Sequence, residues 1–430
     1  MQSIGELTKQ INSGAYDKIF SVLYPAEEPN SCRERYCTAV KAFAEQFGGK
    51  AAVLVSAPGR TEVCGNHTDH QRGRALAAAV DLDIICVAAP NYDDIIRIQS
   101  KGRVMDEIPL DSLDASDKKG GSASIIRGVA AWFKNQGYRL GGFNAYTTSR
   151  VLAGSGLSSS AAFEVAIGNM INVLFGNTAS PAEIALAGKY AENNYYGKPS
   201  GLMDQMASSV GGFVQMDFEN PDKVEIYKVN TDFEELGLNL CIVDTKGSHS
   251  DLTGDYAEII EEMACVSGFF GKKYLRELEP EQLYENIAAI KTKEGDRAVL
   301  RAMHFFRDHD MVLKQVEALE KGNVNAFLDM VISSGRSSFT CLQNVYSISC
   351  PKEQGLSLAL AVSEDILAGK GAWRVHGGGF AGTIQAFVPG NLTKLYSKRM
   401  NEIFGENSCK ILSIRPYGGM QVLPDCSKPI

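Results

Sequence analysis

Residues 151–162 read Val-Leu-Ala-Gly-Ser-Gly-Leu-Ser-Ser-Ser-Ala-Ala, two glycines one residue apart and then three consecutive hydroxyls. Glycines let a backbone approach a ligand closely, and N–H groups at a helix start, reinforced by the helix dipole, suit a triphosphate. A hydroxyl in that place can also hold Mg2+ against the phosphates. Gly154, Ser155, Gly156, Leu157, Ser158, Ser159 and Ser160 are therefore candidates for binding a nucleotide triphosphate. The competing reading is a Ser/Gly loop that only caps a helix. The chain has no G-x-x-x-x-G-K-S/T, which excludes the ordinary P-loop. Gly377, Gly379 and Gly382 do match G-x-G-x-x-G, but a dinucleotide site needs a helix after it. Residues 383–388 instead alternate like a strand. Gly377, Gly378 and Gly379 then form either a tight glycine crossing near the phosphates or substrate, or a plain hairpin turn.

The elements that must position these residues follow from periodicity. Apolar spacing predicts helices over 31–47, 160–175 and 181–195, the second with N-cap hydroxyls at Ser158, Ser159 and Ser160 and the third opened by Ser180-Pro181. A strand over 51–57 runs into Pro58-Gly59, a turn signal. Buried strands are expected over 75–89. Beyond Met216 the pattern changes to a turn at 220–222, a strand over 238–243 and helices over 254–270, 298–321 and 323–334. Strand and glycine loop return over 373–388. The mixture is α+β, with a boundary near 216–224 that divides the chain into domains 1–218 and 219–430.

Composition bounds the function. Of 430 residues, 44% are hydrophobic and 22% charged, as in soluble globular chains of two or three domains. With 43 basic against 51 acidic residues the net charge is -8. Such a chain has no general attraction for nucleic acid or anionic membranes, so phosphate must be bound locally. Residues 1–16 lack the apolar core of a secretory signal. The apolar runs 75–80 and 84–90 are far short of a membrane span. Ten cysteines occur without a C-x-x-C pair, which argues against zinc or dithiol redox roles and for reduced, mostly buried thiols in the cytoplasm. Small molecules are the expected partners, with no nucleic acid or membrane, and the chain is expected to be a monomer or weak dimer.

Three segments resemble the signature motifs of the galactokinase, homoserine kinase, mevalonate kinase and phosphomevalonate kinase superfamily. Residues 57–70, Ala-Pro-Gly-Arg-Thr-Glu-Val-Cys-Gly-Asn-His-Thr-Asp-His, are similar to the galactokinase sugar-binding signature, G-R-x-N-(aliphatic)-I-G-E-H-x-D-Y. The serine loop is the second segment, and residues 375–382, Val-His-Gly-Gly-Gly-Phe-Ala-Gly, are the third. Between them, Gly201-Leu-Met-Asp204-Gln205 is similar to G-I-M-D-Q, and Glu192 falls where the family has its metal-associated Glu. His249-Ser250, Tyr256 and residues 346–351 resemble further family segments in the same order.

The resemblance implies a two-domain small-molecule kinase fold, mixed sheet and helices in each domain, with the active site in the cleft between them. It implies transfer of the γ-phosphoryl group of ATP to the anomeric hydroxyl of galactose, with Mg2+. Ser160 and Glu192 would hold the metal, and the serine loop the ATP phosphates. Asp204 would orient or deprotonate the sugar hydroxyl beside Arg60. Such an Arg lowers a carboxyl pKa by ~1–3 units, which favours orientation and late proton uptake over early abstraction. Asn66, His67, Asp69, Gly201 and Tyr256 would bind the sugar. The departures concern the sugar: Asn66 stands where galactokinases carry the Glu that accepts the 6-hydroxyl, His70 replaces Tyr, and Glu62 replaces Asn. An Asn at 66 suits a hydroxyl or a carboxylate, so a galacturonate kinase, or a kinase of another C6-modified hexose, is the alternative. A non-catalytic sugar and ATP sensor is a further alternative, against which the intact Ser160-Ala161 stands.

Overall fold

Strand Ala51–Cys64 continues straight through Pro58 and Gly59, where the sequence predicts a turn. Two partners outside the ladder explain this. Ser208 donates its hydroxyl to Pro58 O at 2.6 Å, and Arg60 N–H donates to Leu157 O at 3.1 Å. A Cβ on residue 59 would lie 2.8 Å from that same Leu157 oxygen. Glycine is thus required by the close crossing of the serine loop rather than by a turn.

The computed structural model describes residues 1–115, 119–151, 156–198, 200–220, 223–247 and 252–425. The turn expected at 220–222 falls largely outside them. Two compact units emerge, and they are interleaved: Met1–Arg60, Ala78–Gly212 and Ser413–Ile430 form one, Thr61–Ala77 and Phe213–Leu412 the other. The expected division at 218/219 differs from this in assigning Thr61–Ala77 and residues 213–218 to the first part and Ser413–Ile430 to the second. Strands Ala51–Cys64 and Arg74–Pro90 each run from one unit into the other. A continuous apolar strand carries no sequence mark of such a passage.

In the first unit, Ala51–Cys64, Arg74–Pro90, Phe143–Ser149, Ile95–Ser100 and Asp106–Pro109 follow one another across the sheet. The amphipathic helices Ile4–Asn12, Asp17–Leu23 and Pro29–Phe47 cover it with Leu7, Ile11, Phe20, Tyr36, Val40 and Phe43, packed on Leu54, Ile85 and Val87. Helices Ser122–Asn135, Ser159–Leu174, Pro181–Ala191 and Met203–Val210 pack on one another. Their placement carries the serine loop and Asp204.

One buried ion cluster ties this unit's N-terminal helices to its sheet and its last segment. Asp83, fully buried, receives Arg35 and Arg415 and the hydroxyls of Ser56 and Tyr24. Burial pushes its carboxyl up, but the two guanidiniums and two hydroxyls outweigh that and hold it below the usual range. The stabilisation is therefore in place above the unfolded carboxyl's pKa and is lost as pH falls through the folded value. Tyr24 also shares a 2.7 Å hydrogen bond with Tyr36. Tyr24→Phe should lower unfolding free energy by ~1.5–3 kcal/mol, the range for a hydrogen bond to a charged group. Urea denaturation measures it, and a loss under ~0.5 kcal/mol, the size of an ordinary surface change, would refute the cluster's importance.

The second unit holds an antiparallel sheet in the order Ala372–Val375, Thr383–Pro389, Leu238–Asp244 and Cys409–Leu412. Helices Gly355–Leu367 and Thr393–Phe404 pack Leu356, Leu367, Tyr396 and Met400 on its Val243, Ile384 and Val388. A second core joins Thr253–Phe269 to Asp296–Glu320 through Ile259, Met263, Ala302 and Phe305. The segment after the glycine motif is strand Thr383–Pro389, which bears out the rejection of a dinucleotide fold. The nine cysteines among the described residues are free. Among those residues no helix is long and apolar enough to cross a membrane.

Candidate active site

The serine loop and Asp204 meet within the first unit. Helix Ser159–Leu174 begins after Ser158, which holds a left-handed backbone at φ +52° and makes no side-chain cap. Its hydroxyl is used elsewhere, donating to Asp204 Oδ2. The expectation of N-cap hydroxyls is thus corrected at this position. The serine that should cap the helix instead reaches a carboxylate and gives the first turn no side-chain cap. A non-glycine residue at positive φ is strained, and the Asp204 bond is what holds it there. Gly156, Leu157, Ser159 and Ser160 lie in the same stretch. Gly154, Ser155 and Leu152 fall outside the described residues.

Arg60 forks onto Asp204, Nε to Oδ1 at 2.7 Å and Nη2 to Oδ2 at 2.8 Å. Its Nη1 donates to Gly156 O. One guanidinium therefore sets both the carboxylate and the loop, in the paired geometry that makes Arg–carboxylate contacts strong. Asp204 stands in the first turn of helix Met203–Val210, directly after Gly201-Leu202. Burial raises its carboxyl, but Arg60, the Ser158 hydroxyl and Lys198 overcome this and keep it below the usual range. It is an ionised acceptor at neutral pH.

Ser160 and Glu192 are also brought together, Oγ donating to Oε1 at 3.1 Å. Glu192 is only 3% exposed. It opens a π-helical turn, Glu192–Tyr196, where the predicted helix 181–195 gives up its regular winding after Ala191. Such turns often mark functional positions. Lys198 Nζ lies 3.3 Å from Glu192 Oε1. Gln205 Nε2 donates to Glu192 Oε2 at 3.0 Å and to Glu164 Oε2 at 2.9 Å. Glu164 is fully buried, and burial first, then the charge of Glu192, pushes its carboxyl well above the usual range. A hydroxyl and a carboxylate are hard oxygen donors. They fit a Mg2+ that takes its other ligands from phosphates and water.

Within the second unit, Asn66, His67 and Tyr256 gather around the glycine crossing. Asn66 is 1% exposed, and its amide is fully used: Nδ2 donates to Glu62 Oε1 and to Gly377 O, each at 2.7 Å. Its Oδ1 accepts from Asn344 Nδ2 at 2.7 Å. In the structure, Asn66, expected at the sugar, gives both of its amide N–H groups to a neighbouring carboxylate and a carbonyl. His67 Nε2 lies 2.9 Å from Gly378 O. Burial and the nearby His70 lower its imidazole to about 4, so it is neutral with Nε2–H donating. Its buried Nδ1 has no partner among the described residues. Asp69 Oδ1 accepts from His70 N–H at 3.0 Å, and Asp69 remains partly exposed. Tyr256 donates its hydroxyl to Gly379 O at 3.0 Å and stacks on His67 at 6.2 Å between ring centroids.

Lys198, Glu164 and Asn344 are not singled out by the sequence, and Gln205 stands there in its motif without a role. Gln205 follows Asp204 directly, and Lys198 precedes Gly201 by three positions, so both were signalled by their neighbours. Glu164 and Asn344 carried no such signal. His249 and Ser250 lie outside the described residues.

The chain is similar to known proteins in sequence and in fold. Residues 41–90 match the galactokinase galactose-binding signature, and residues 124–212 match the GHMP kinases N terminal domain. A galactokinase of Actinobacillus pleuropneumoniae is 31% identical over 82% of this chain and 89% of its own. The galactokinase of Homo sapiens is 29% identical over 88% and 95%. The fold is similar to Lactococcus lactis galactokinase complexed with galactose, with a TM-score of 0.76, 23% identity, and 90% of this chain and 100% of that one covered. It is also similar to the Methanococcus jannaschii mevalonate kinase, with a TM-score of 0.61, 15% identity, and 85% and 98% covered.

Proposed function

This chain belongs to the galactokinase family, and from that premise we propose that it transfers the γ-phosphoryl group of ATP to the anomeric hydroxyl of galactose. The observation that carries the reading is the Arg60–Asp204 fork with Ser158 on the same carboxylate. A charged acceptor held in two-point geometry beside a phosphate-type loop is built to orient a hydroxyl for in-line attack. Phosphoryl transfer asks for that positioning and for charge neutralisation more than for covalent help.

In this reading Asp204 accepts the hydrogen bond of the sugar's anomeric hydroxyl and takes its proton late, since its low pKa makes it a weak base. Arg60 keeps Asp204 ionised and offsets the negative charge of the incoming phosphoryl group. Gly154 to Ser160 and the start of helix Ser159–Leu174 hold the phosphates of ATP. Ser160 and Glu192 would hold Mg2+, which when bound neutralises phosphate charge. Lys198 and Gln205 keep the Glu192 carboxylate in place. Asp69, His67, Gly201 and Tyr256 bind the sugar, and the unpartnered His67 Nδ1 is an acceptor for a hydroxyl. The galacturonate alternative, which rests on the neutral Asn66, is not favoured by the galactokinase relatives or the match to the galactose-binding signature. The enzyme is read as cytoplasmic and as a monomer or weak dimer.

A coupled assay of ADP release decides the matter. Galactose should give turnover that requires Mg2+, with galacturonate, glucose, N-acetylgalactosamine and arabinose markedly poorer. Sugar-independent ADP release as the only activity, or a preference for galacturonate, would overturn the assignment.

A further inference from the structure

The glycine crossing has its carbonyls held by side chains of its own unit. Gly377 O accepts from Asn66, Gly378 O lies within hydrogen-bond distance of both Asn344 Nδ2 and His67 Nε2, and Gly379 O accepts from Tyr256. In a trans peptide the N–H points opposite to the carbonyl, and no peptide bond here is cis. Fixing the Gly377 and Gly378 carbonyls inward therefore turns the N–H groups of Gly378 and Gly379 outward. Neither N–H has a partner among the described residues. Successive outward N–H groups in such a backbone form a concavity suited to an anion.

Asn344 is at the centre of this arrangement, and it is fully buried. Its Nδ2 donates to Asn66 Oδ1 at 2.7 Å and to Gly378 O at 3.0 Å, and its own carbonyl accepts from Phe380 N–H. Residue 379 must be glycine because a Cβ there would fall 2.0 Å from the Asn344 oxygen. Both acceptors facing Nδ2 fix the orientation of the amide, since a turned amide would set oxygen against oxygen. The cost of that orientation is visible: Asn344 Oδ1 is buried without a donor. A fold keeps an unpaired buried acceptor where the opposite end of the side chain is worth more.

We propose that Asn344, acting with Asn66, is a positioning residue that turns the Gly378 and Gly379 N–H groups toward a phosphoryl-type anion, and that Asn66 serves this loop and not the sugar. The inference rests on the kinase reading, for which the anion is a phosphoryl group of ATP or of the product.

Asn344→Asp keeps the shape and removes the donors, and Asn344→Ser serves if that variant is unstable. The expected result is a kcat at least ~10-fold lower with the galactose KM within ~3-fold of the parent, the split produced by losing an interaction made in the transition state. Hydrogen exchange at residues 377–380 should be at least ~10-fold faster in the variant, as for a locally released segment. A kcat within ~3-fold of the parent, or a loss that appears in the galactose KM instead, overturns the proposal. If the parent shows no galactose phosphorylation, the kinase reading fails, and the exchange rates still judge the clamp. Unchanged exchange then sinks it.

Discussion

Asp204→Asn is expected to lower kcat at least ~100-fold while ATP affinity stays nearly unchanged, a loss of ~2.7 kcal/mol of transition-state stabilisation. The substitution is nearly isosteric, so the fork with Arg60 loses its charge and one acceptor but not its outline. Among the described residues Asp204 makes no hydrogen bond to the directly linked Ser160–Glu192 pair, whose carboxylate is held by Lys198 and Gln205. Nucleotide binding should therefore survive. What goes is the ionised acceptor that orients the anomeric hydroxyl and collects its proton. A structural explanation would instead predict a lowered melting temperature and a loss shared between kcat and both KM values. The measurement is steady-state kinetics in both substrates, with thermal unfolding as the control. A variant within a few-fold of the parent would remove Asp204 from the mechanism.

Much of the site was legible in the sequence because it depends on local order. Arg60, Asp204, Ser160 and Glu192 were marked by the resemblance to the family's segments, and the structure brings each pair within hydrogen-bond reach. Periodicity likewise placed helices Pro29–Phe47, Thr253–Phe269 and Asp296–Glu320 within a few residues. What escaped depends on contacts distant in sequence. Pro58-Gly59 has the local chemistry of a turn, yet the close approach of Leu157 requires that glycine in a strand. Ser158 has the chemistry of a cap, yet a carboxylate 46 positions away claims its hydroxyl. Asn66 looked like a sugar contact because its partners, Gly377 and Asn344, are 311 and 278 positions distant. The interleaving of the two units was hidden for the same reason, since a strand that leaves one core for another stays apolar throughout.

Arg60→Met separates two tasks that the wild-type enzyme combines. Arg60 is nearly buried, and its removal leaves Asp204 with burial pushing its carboxyl up and only Ser158 and Lys198 opposing that. The folded pKa must therefore rise, since the adjacent guanidinium that favoured the charged carboxylate is gone. The sign of the consequence is fixed: the active, ionised form of Asp204 now exists only at higher pH. The acidic limb of the kcat profile should move upward, and activity near pH 7 should fall by ~10^2- to 10^3-fold, the scale of losing a preorganised transition-state charge. Raising the pH should recover the part of this loss due to protonated Asp204. The part that persists on the alkaline plateau then measures what Arg60 contributes directly to the phosphoryl group. Asp204→Asn in the same background supplies the reference, since it has no carboxyl to titrate and should show no displaced limb. If Arg60→Met retained the parent's acidic limb, Asp204 would not be the titrating group, and Arg60 would act on the phosphoryl group alone. If the plateau recovered fully, Arg60 would act only through Asp204. The fork geometry, with one nitrogen also on the serine loop at Gly156, leads us to expect an intermediate result, with both components measurable.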